Sequence, residues 1–427
     1  MALPPTPASG PGDPHEGYPV SRAYAWLAFA MTFALMLSDY MSRQIINAVF
    51  PFLKAEWSLS DGQLGSLVGV VALAIGVLSV PISFMADRFG RVRSAAVMAL
   101  VWGLATVACG LSGGYYQLLA ARALVGAGEA GYGSAGAAIL TQSFPARMHA
   151  TVIGSFLSAG MIGSVIGVVL GGYAAQSLGW GMAFILIGVF GVALAVMFPL
   201  VIREPARPVL LPKQVLPIRD VLKRMAGTPT LLRIAAAGAC GMFVQTSFLA
   251  WMPSYLNRYY GLDPATASLG TGAIILCGAL GTIAGGAIVD RFARERPANR
   301  LRLSGLFALI LGLAMLAAFL LPLGPLQLAL IALGFAVSTS YLGPALAAAG
   351  DVTPEANHAT TYALISLAYM LLGAAPGPIL TGYLADASEL SLALGIIPVL
   401  AVAGGLFFFA AAKSFPCDVE RLGQTSA

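Results

Sequence analysis

The sequence predicts an all-α membrane protein whose twelve transmembrane helices form two pseudo-symmetric six-helix bundles. Three observations carry this expectation. Of 427 residues, 58% are apolar and only 10% are charged, whereas a soluble globular chain carries about 25% charge. The apolar side chains suffice for about twelve stretches of about 20 residues, the length that crosses a bilayer. The second half of the chain also repeats motifs of the first, in the same order. Fifty glycines suit membrane helices, whose backbones approach through small residues. Such a composition excludes a soluble enzyme, a disordered chain, a nucleic-acid binder and a disulfide scaffold. The net charge of +5 reads as topology rather than as affinity for nucleic acid, because Lys and Arg gather on the cytoplasmic side of membrane proteins.

Residues 1–23, rich in Pro and Gly, read as a flexible cytoplasmic tail without the pattern of a cleavable signal peptide. Apolar runs then place spans near 24–50, 63–84, 94–112, 115–141, 150–175 and 178–201, the first bundle (24–201). Residues 202–232 are the longest hydrophilic stretch and read as a cytoplasmic linker. Further runs near 233–258, 266–289, 302–321, 325–350, 359–385 and 391–413 make the second bundle (233–413), followed by a cytoplasmic tail, 414–427. With the N-terminus inside, 19 Lys and Arg fall on the inner side and only Lys54 and Arg258 on the outer. That asymmetry predicts that both termini are cytoplasmic; the expected location is the plasma membrane, which is the inner membrane if the cell is Gram-negative. Cys109, Cys240, Cys277 and Cys417 have no metal-ligand spacing and read as small hydrophobes. No metal site or cofactor is expected.

The repeat is specific. Asp87-Arg88-Phe89-Gly90-Arg91 after span two returns as Asp290-Arg291-Phe292-Ala293-Arg294 after span eight. Pro145-x-x-x-His149-Ala150-Thr151 before span five returns as Pro354-x-x-x-His358-Ala359-Thr360 before span eleven. Gly167-x-x-Leu170-x-Gly172-Tyr173 returns as Gly377-x-x-Leu380-x-Gly382-Tyr383. The offsets, 203, 209 and 210, are nearly constant, so the chain is a duplicated six-helix unit with its substrate path expected between the copies.

These features resemble the major facilitator superfamily over about residues 24–413. Its loop after span two, Gly-x-x-x-Asp-Arg-x-Gly-Arg, is matched by Asp87, Arg88, Gly90 and Arg91, with Ser83 at the first glycine. The second copy keeps Gly286, Asp290 and Arg291 but has Ala293 in place of the later glycine. The resemblance implies that Asp87, Arg88, Arg91, Asp290 and Arg291 gate the conformational change. Arg122-x-x-x-Gly126-x-Gly128-Glu129-Ala130 in span four is similar to the Spinster-like branch and to related bacterial organic-solute carriers. In span one, Asp39-Tyr40-Met41-Ser42-Arg43 departs from that branch, which more often has Asp where Ser42 stands.

Charges within spans are costly and mark functional sites by default. Four lie deep: Asp39, Arg43, Arg122 and Glu129. Asp39 and Arg43 share a face of span one, and Arg122 and Glu129 share a face of span four. At about 1.5 Å per residue, Asp39 and Arg122 stand level, roughly 20 Å above the inner edge, with Glu129 below them. The resemblance places spans one and four on the central cavity, so an Asp39–Arg122 pair is expected, with Asp39 and Glu129 as proton-coupling groups. Arg43 and Arg122 are then substrate-binding candidates, since a guanidinium presents a planar fork to a carboxylate or phosphate. Fixed salt bridges are the structural alternative. The second half holds no deep charge; Gln245 and Trp251 in span seven and Tyr341 in span ten are its candidate substrate contacts. The glycines of span five, with Val168 where an antiporter's Pro would stand, read as close helix packing.

The expected function is secondary active transport by alternating access: the proton-coupled movement of a small amphiphilic or anionic organic solute, lysolipid-like in one version. An uptake carrier for an aromatic or short organic acid is the alternative. An integral-membrane enzyme is the reading of another class, but His15, His149 and His358 lie in the tail or in loops and assemble no catalytic set. A nucleotide-driven pump is excluded by the lack of a Gly-x-x-x-x-Gly-Lys-Ser/Thr loop. The expected partners are a small-molecule substrate, protons and the lipid bilayer, with no nucleic acid and a monomeric working unit.

Overall fold

A backbone that crosses hydrocarbon meets no water, so each apolar run must close its hydrogen bonds within a helix. The computed structural model describes residues 18–204, 223, 225–293 and 296–426, with side chains at all of these except 80, 83–87, 356, 425 and 426. All regular structure among them is helical. Spans one to three are Arg22–Trp57, Asp61–Phe89 and Arg91–Gly110; spans five and six are His149–Leu178 and Trp180–Val201; spans seven to nine are Pro229–Tyr260, Pro264–Ala293 and Asn299–Leu320. Eleven helical stretches of the described residues are long and apolar enough to cross a membrane. The twelfth crossing, span four, is two helices, Tyr115–Glu129 and Tyr132–Ser143.

Several spans are broken, each for a visible reason. Span four breaks at Ala130 and Gly131, in a stretch where Gly126, Gly128, Gly131 and Gly133 weaken the helix. Span ten breaks at the repeat-related place, between Pro325–Val337 and Leu342–Asp351. Ser338 Oγ there donates to the Phe335 carbonyl at 2.8 Å and Ser340 Oγ to the Gly281 carbonyl at 3.3 Å. Span eleven passes from His358–Tyr369 through a π-turn, Met370–Ala374, into Pro376–Ala387. Pro376 has no N–H and crowds the preceding turn, and the wider turn accommodates it, with Ala375 N donating to the Met370 carbonyl at 2.8 Å. Span five has no proline and runs unbroken. Span twelve is Leu390–Ile396 followed by Pro398–Ser426. Residues 414–426, expected as a tail, therefore continue its last helix. The remainder of the expected linker, 205–222 and 224, and of the N-terminal tail, 1–17, lies outside the described residues.

Local chemistry explains the helix starts. Ser60 and Gln63 form a reciprocal capping box at the head of span two: Gln63 N donates to Ser60 Oγ at 3.2 Å and Ser60 N to Gln63 Oε1 at 2.9 Å. Asp263 Oδ1 accepts from Ala265 N and Thr266 N, both at 3.1 Å, at the head of span eight. A single residue, Gly90, joins spans two and three at φ +103°, a conformation that favours glycine.

The packing repeats in both halves. Span one lies on five and six, and three on six; span seven correspondingly lies on eleven and twelve, and nine on twelve. The glycines of span five make the close approach that was expected of them. A Cβ at Gly163 would stand 2.6 Å from the Leu37 carbonyl, and one at Gly167 would stand 2.7 Å from Met41 Cα. Span two packs on eleven, and five on eight, to join the halves. An even number of crossings leaves both chain ends on one side, here the terminal face; the opposite side is the distal face.

Candidate functional site

Between the halves lies a cavity of about 440 Å³ walled by spans one, two, four, five, seven, eight, ten and eleven. Tyr40, Arg43, Gln44 and Asn47 present one face of span one to it, and Arg122 reaches it from span four. Val68, Val71, Ala72 and Ile75 of span two and Leu157 and Met161 of span five make an apolar flank. The second half contributes Gln245, Thr246, Thr282, Ser338 and Thr339. Thr282 and Thr339 hydrogen-bond to each other across spans eight and ten. The cavity therefore has one cationic wall, one neutral polar wall and an apolar flank between them.

Arg43 is the centre of the charged group. Its Nη2 donates to Asp39 Oδ1 at 3.0 Å, and its Nε lies 3.2 Å from Glu129 Oε2. Its guanidinium stands over the Tyr40 ring, 4.8 Å from the centroid. The Arg43 side chain is 22% exposed, against 4% for Asp39 and 0% for Glu129. Arg43 thus faces the cavity and screens two buried carboxylates behind it. Glu129 is the more poorly housed of the two. It closes the first helix of span four, at the negative pole of that helix, and neither of its oxygens accepts a hydrogen bond.

Arg122 is arranged otherwise. It is 1% exposed and donates to three main-chain carbonyls: Leu67 from Nε at 3.1 Å, Ser42 from Nη1 at 3.0 Å and Arg43 from Nη2 at 3.1 Å. The expected Asp39–Arg122 pair does not form, and the reason is the direction in which helical side chains lean. They point back toward their own N-terminus. Span one starts at the terminal face, so Arg43 leans down onto Asp39 and Glu129. Span four starts at the distal face, so Arg122 leans up, away from Glu129 and onto the carbonyls of spans one and two. Counting Cα heights alone missed a side-chain reach of one helical turn.

Other candidates are placed as follows. Gln245 lines the cavity. Trp251 does not; it is fully buried distal to the cavity, with Nε1 donating to the Pro378 carbonyl at 3.1 Å and its ring 5.1 Å from that of Phe50. Tyr341 is also fully buried, its hydroxyl donating to the Gly238 carbonyl at 3.3 Å inside the second half. Neither position offers a contact to a cavity-bound solute. The side chain of Asp87 lies outside the described residues. Arg88, Asp290 and Arg291 are exposed at the terminal face. The Arg91 main chain shares an unforeseen partner, Glu204, whose carboxylate accepts from Arg91 N at 2.6 Å, Val92 N at 3.0 Å and Arg93 N at 3.4 Å. This caps span three from the start of the linker. Tyr40, Gln44 and Asn47 were also missed, although their spacing around Arg43 is the helical period that would have found them.

The halves are tied together at the distal face, where Asp61, Gly62 and Ala265 bond to Arg258, Asp386 and Gln176 across the divide. On the terminal side the second helices of spans four and ten pack within their own halves. The cavity is therefore closed on its distal side.

Comparison with known proteins agrees. A curated MFS-type efflux pump of Mycolicibacterium smegmatis is 27% identical over 92% of this chain and 94% of its own length. Protein spinster homolog 1 of Xenopus tropicalis is 25% identical over 94% of this chain and 83% of its own. The hexuronate transporter of Bacillus subtilis is 26% identical over 59% of this chain and 61% of its own. A crystal structure of a bacterial homolog of the human lysosomal transporter Spinster, inward-facing and unoccupied, superposes with a TM-score of 0.83 at 23% identity, covering 93% of this chain and 99% of that one. The family model of the Major Facilitator Superfamily matches residues 32–376. With twelve spans among the described residues, a duplicated half and a cavity between the halves, the chain is a multi-pass membrane transporter that belongs to the Major Facilitator Superfamily.

Proposed function

We propose that this transporter moves a small anionic or amphiphilic organic solute together with protons, and that Arg43 is the group both compete for. The observation that supports this reading is a cavity-facing guanidinium held between two buried carboxylates. An arriving carboxylate or phosphate displaces one of them from Arg43. A carboxylate left without its cation, in a site that offers Glu129 no hydrogen bond, is then neutralised by a proton, because burial disfavours the charged form and the neighbouring cation no longer supports it. Anion and proton so occupy the carrier together. Glu129 and Asp39 are the proton-carrying groups on this reading, and Gln245 with the threonines of spans eight and ten contacts the remainder of the solute. Arg122 supports the site through the main chain. Among the relatives, the hexuronate transporter by its name carries an organic acid, which favours an anionic cargo here.

The test is uptake into liposomes with an imposed pH gradient, using lysolipids, uronic acids, aromatic acids and short monocarboxylates. Wild-type protein should accumulate at least one anionic member, and Arg43→Gln should reduce that accumulation to the background of empty liposomes. Full accumulation by Arg43→Gln would reject the reading. We further propose that the terminal face is cytoplasmic, in the plasma membrane, and that the chain works as a monomer. With the native cysteines replaced, Arg296→Cys should then react with an impermeant maleimide only from the cytoplasm, and Ser112→Cys only from outside; the reverse pattern would invert the topology.

A further inference from the structure

The distal closure is chemically lopsided. Asp61, at the head of span two, is 3% exposed and takes three charged contacts. Lys54 Nζ lies 2.5 Å from its Oδ1, and Arg258 of the other half grips both oxygens, Nη1 to Oδ2 at 2.6 Å and Nη2 to Oδ1 at 2.7 Å. Asp386 of span eleven caps the same helix across the divide, its two oxygens accepting from Asp61 N and Gly62 N, each at 2.7 Å. The Arg258 guanidinium also stands 5.9 Å from the Trp251 ring, which closes the distal path against Phe50. The repeat-related edge, between spans five and eight, has a similar cap but no ion pair across it among the described residues. Gln176 stands 210 residues before Asp386 and likewise caps the opposing helix, but with a neutral amide: Ala265 N donates to Gln176 Oε1 at 3.0 Å. Pro264 stands 203 residues after Asp61 and brings no carboxylate. The neighbouring Asp263 turns its carboxylate onto its own helix start, accepting from Ala265 N and Thr266 N, and makes no ion pair across the divide among the described residues. Lys54 and Arg258, the two basic residues of the distal loops, both serve the edge between spans two and eleven.

We propose that Asp61, Lys54, Arg258 and Asp386 form the latch that holds the distal mouth shut. The mouth opens unequally: the five–eight edge, which no ion pair bridges among the described residues, parts first, and the two–eleven edge is the last to release. Bidentate Arg–carboxylate pairs and carboxylate caps of helix N-termini are among the stronger polar contacts, roughly twice a neutral hydrogen bond. The Asp61 carboxylate on which they converge is buried, although Asp386 stands exposed and Lys54 half-buried around it. The inference rests on alternating access but not on the cargo or the proton pathway.

The experiment is therefore done without substrate. Spin labels at Ser112→Cys and Leu323→Cys, on distal loops of opposite halves in a chain without native cysteines, report the width of the mouth in lipid nanodiscs. The unaltered latch should give one short distance. Asp61→Asn or Asp386→Ala should raise the long-distance population by about tenfold, in keeping with loss of a charge-assisted contact. Gln176→Ala should change it by less than about twofold, as for a neutral hydrogen bond at an exposed edge. Combining Asp61→Asn with Arg258→Gln should add little to either alone, since each removes the same contact. Should Asp61→Asn fail to fold, Lys54→Gln and Arg258→Gln carry the measurement. An unchanged distance in every latch variant, or an opening by Gln176→Ala as large as that by Asp386→Ala, would overturn the proposal.

Discussion

Glu129→Gln is expected to abolish transport driven by a pH gradient while leaving exchange of labelled for unlabelled solute at equal pH largely intact. The substitution keeps the shape of the side chain and removes its charge. Arg43 then has only Asp39 as a counter-charge, so an anionic solute meets a freer guanidinium and binds at least as well as before. What is lost is the group whose protonation accompanies binding, so the solute moves without tying its occupancy to a proton. Asp39→Asn should weaken the dependence on the gradient less, because Asp39 already receives a hydrogen bond from Arg43 at 3.0 Å, whereas Glu129 receives none. Paired measurements in one liposome preparation, accumulation under a gradient and exchange without one, separate a coupling defect from a folding defect. If Glu129→Gln and Asp39→Asn both accumulated solute normally, the proton route proposed here would be wrong.

The two arginines should fail in opposite ways. Arg122→Lys keeps a positive charge but cannot reach the carbonyls of Leu67, Ser42 and Arg43 at once. Hydrogen bonds to charged groups contribute about 1.5–3 kcal/mol each, so losing two of the three should lower stability by roughly 3 kcal/mol or more. Solute affinity in the surviving folded protein should stay within about twofold, since main-chain clamping, not the cargo, occupies that guanidinium. Arg43→Lys should do the converse. An ammonium cannot present a planar fork to two acids or to a carboxylate ligand, so affinity should fall by about tenfold or more, with little change in thermal unfolding. Unfolding temperature and solute affinity, measured on both purified variants, form a crossed test. A large affinity loss in Arg122→Lys with unchanged stability would return Arg122 to the binding site and remove the role given to Arg43.

The spans were legible because hydrocarbon permits few solutions: an apolar run of sufficient length must be a helix, and its ends follow from charge and capping residues. The repeat was legible because loop motifs such as Asp87-Arg88 and Asp290-Arg291 lie at nearly constant offsets. The four buried charges could also be named, since charge within a span has few innocent explanations. Their pairing could not. It depends on helix polarity and side-chain reach, which sent Arg122 to carbonyls and gave both acids to Arg43. Trp251 and Tyr341 show a second limit. An aromatic residue on a span reveals its apolar surroundings but not whether it faces a cavity or a neighbouring helix, and both proved to be packed between helices. The distal cluster drew no attention because Asp61, Lys54, Arg258 and Asp386 each look like ordinary loop charges until the two halves are folded together.

A duplicated gene begins with two copies of every position, and here the copies have diverged unevenly. At the offset of 210 that separates the helix starts of spans four and ten, Arg122 and Glu129 correspond to Ala332 and Thr339. One descendant carries the ionisable chemistry, and the other has become a neutral lining of hydroxyls and an amide. Substitutions among Gln245, Thr246, Thr282, Ser338 and Thr339 can therefore accumulate without leaving a charge stranded in the membrane, whereas a change at Arg43 strands two. Heritable variation in what is carried has a permissive half in which to arise, and the costly ionic arrangement is sheltered from it in the other.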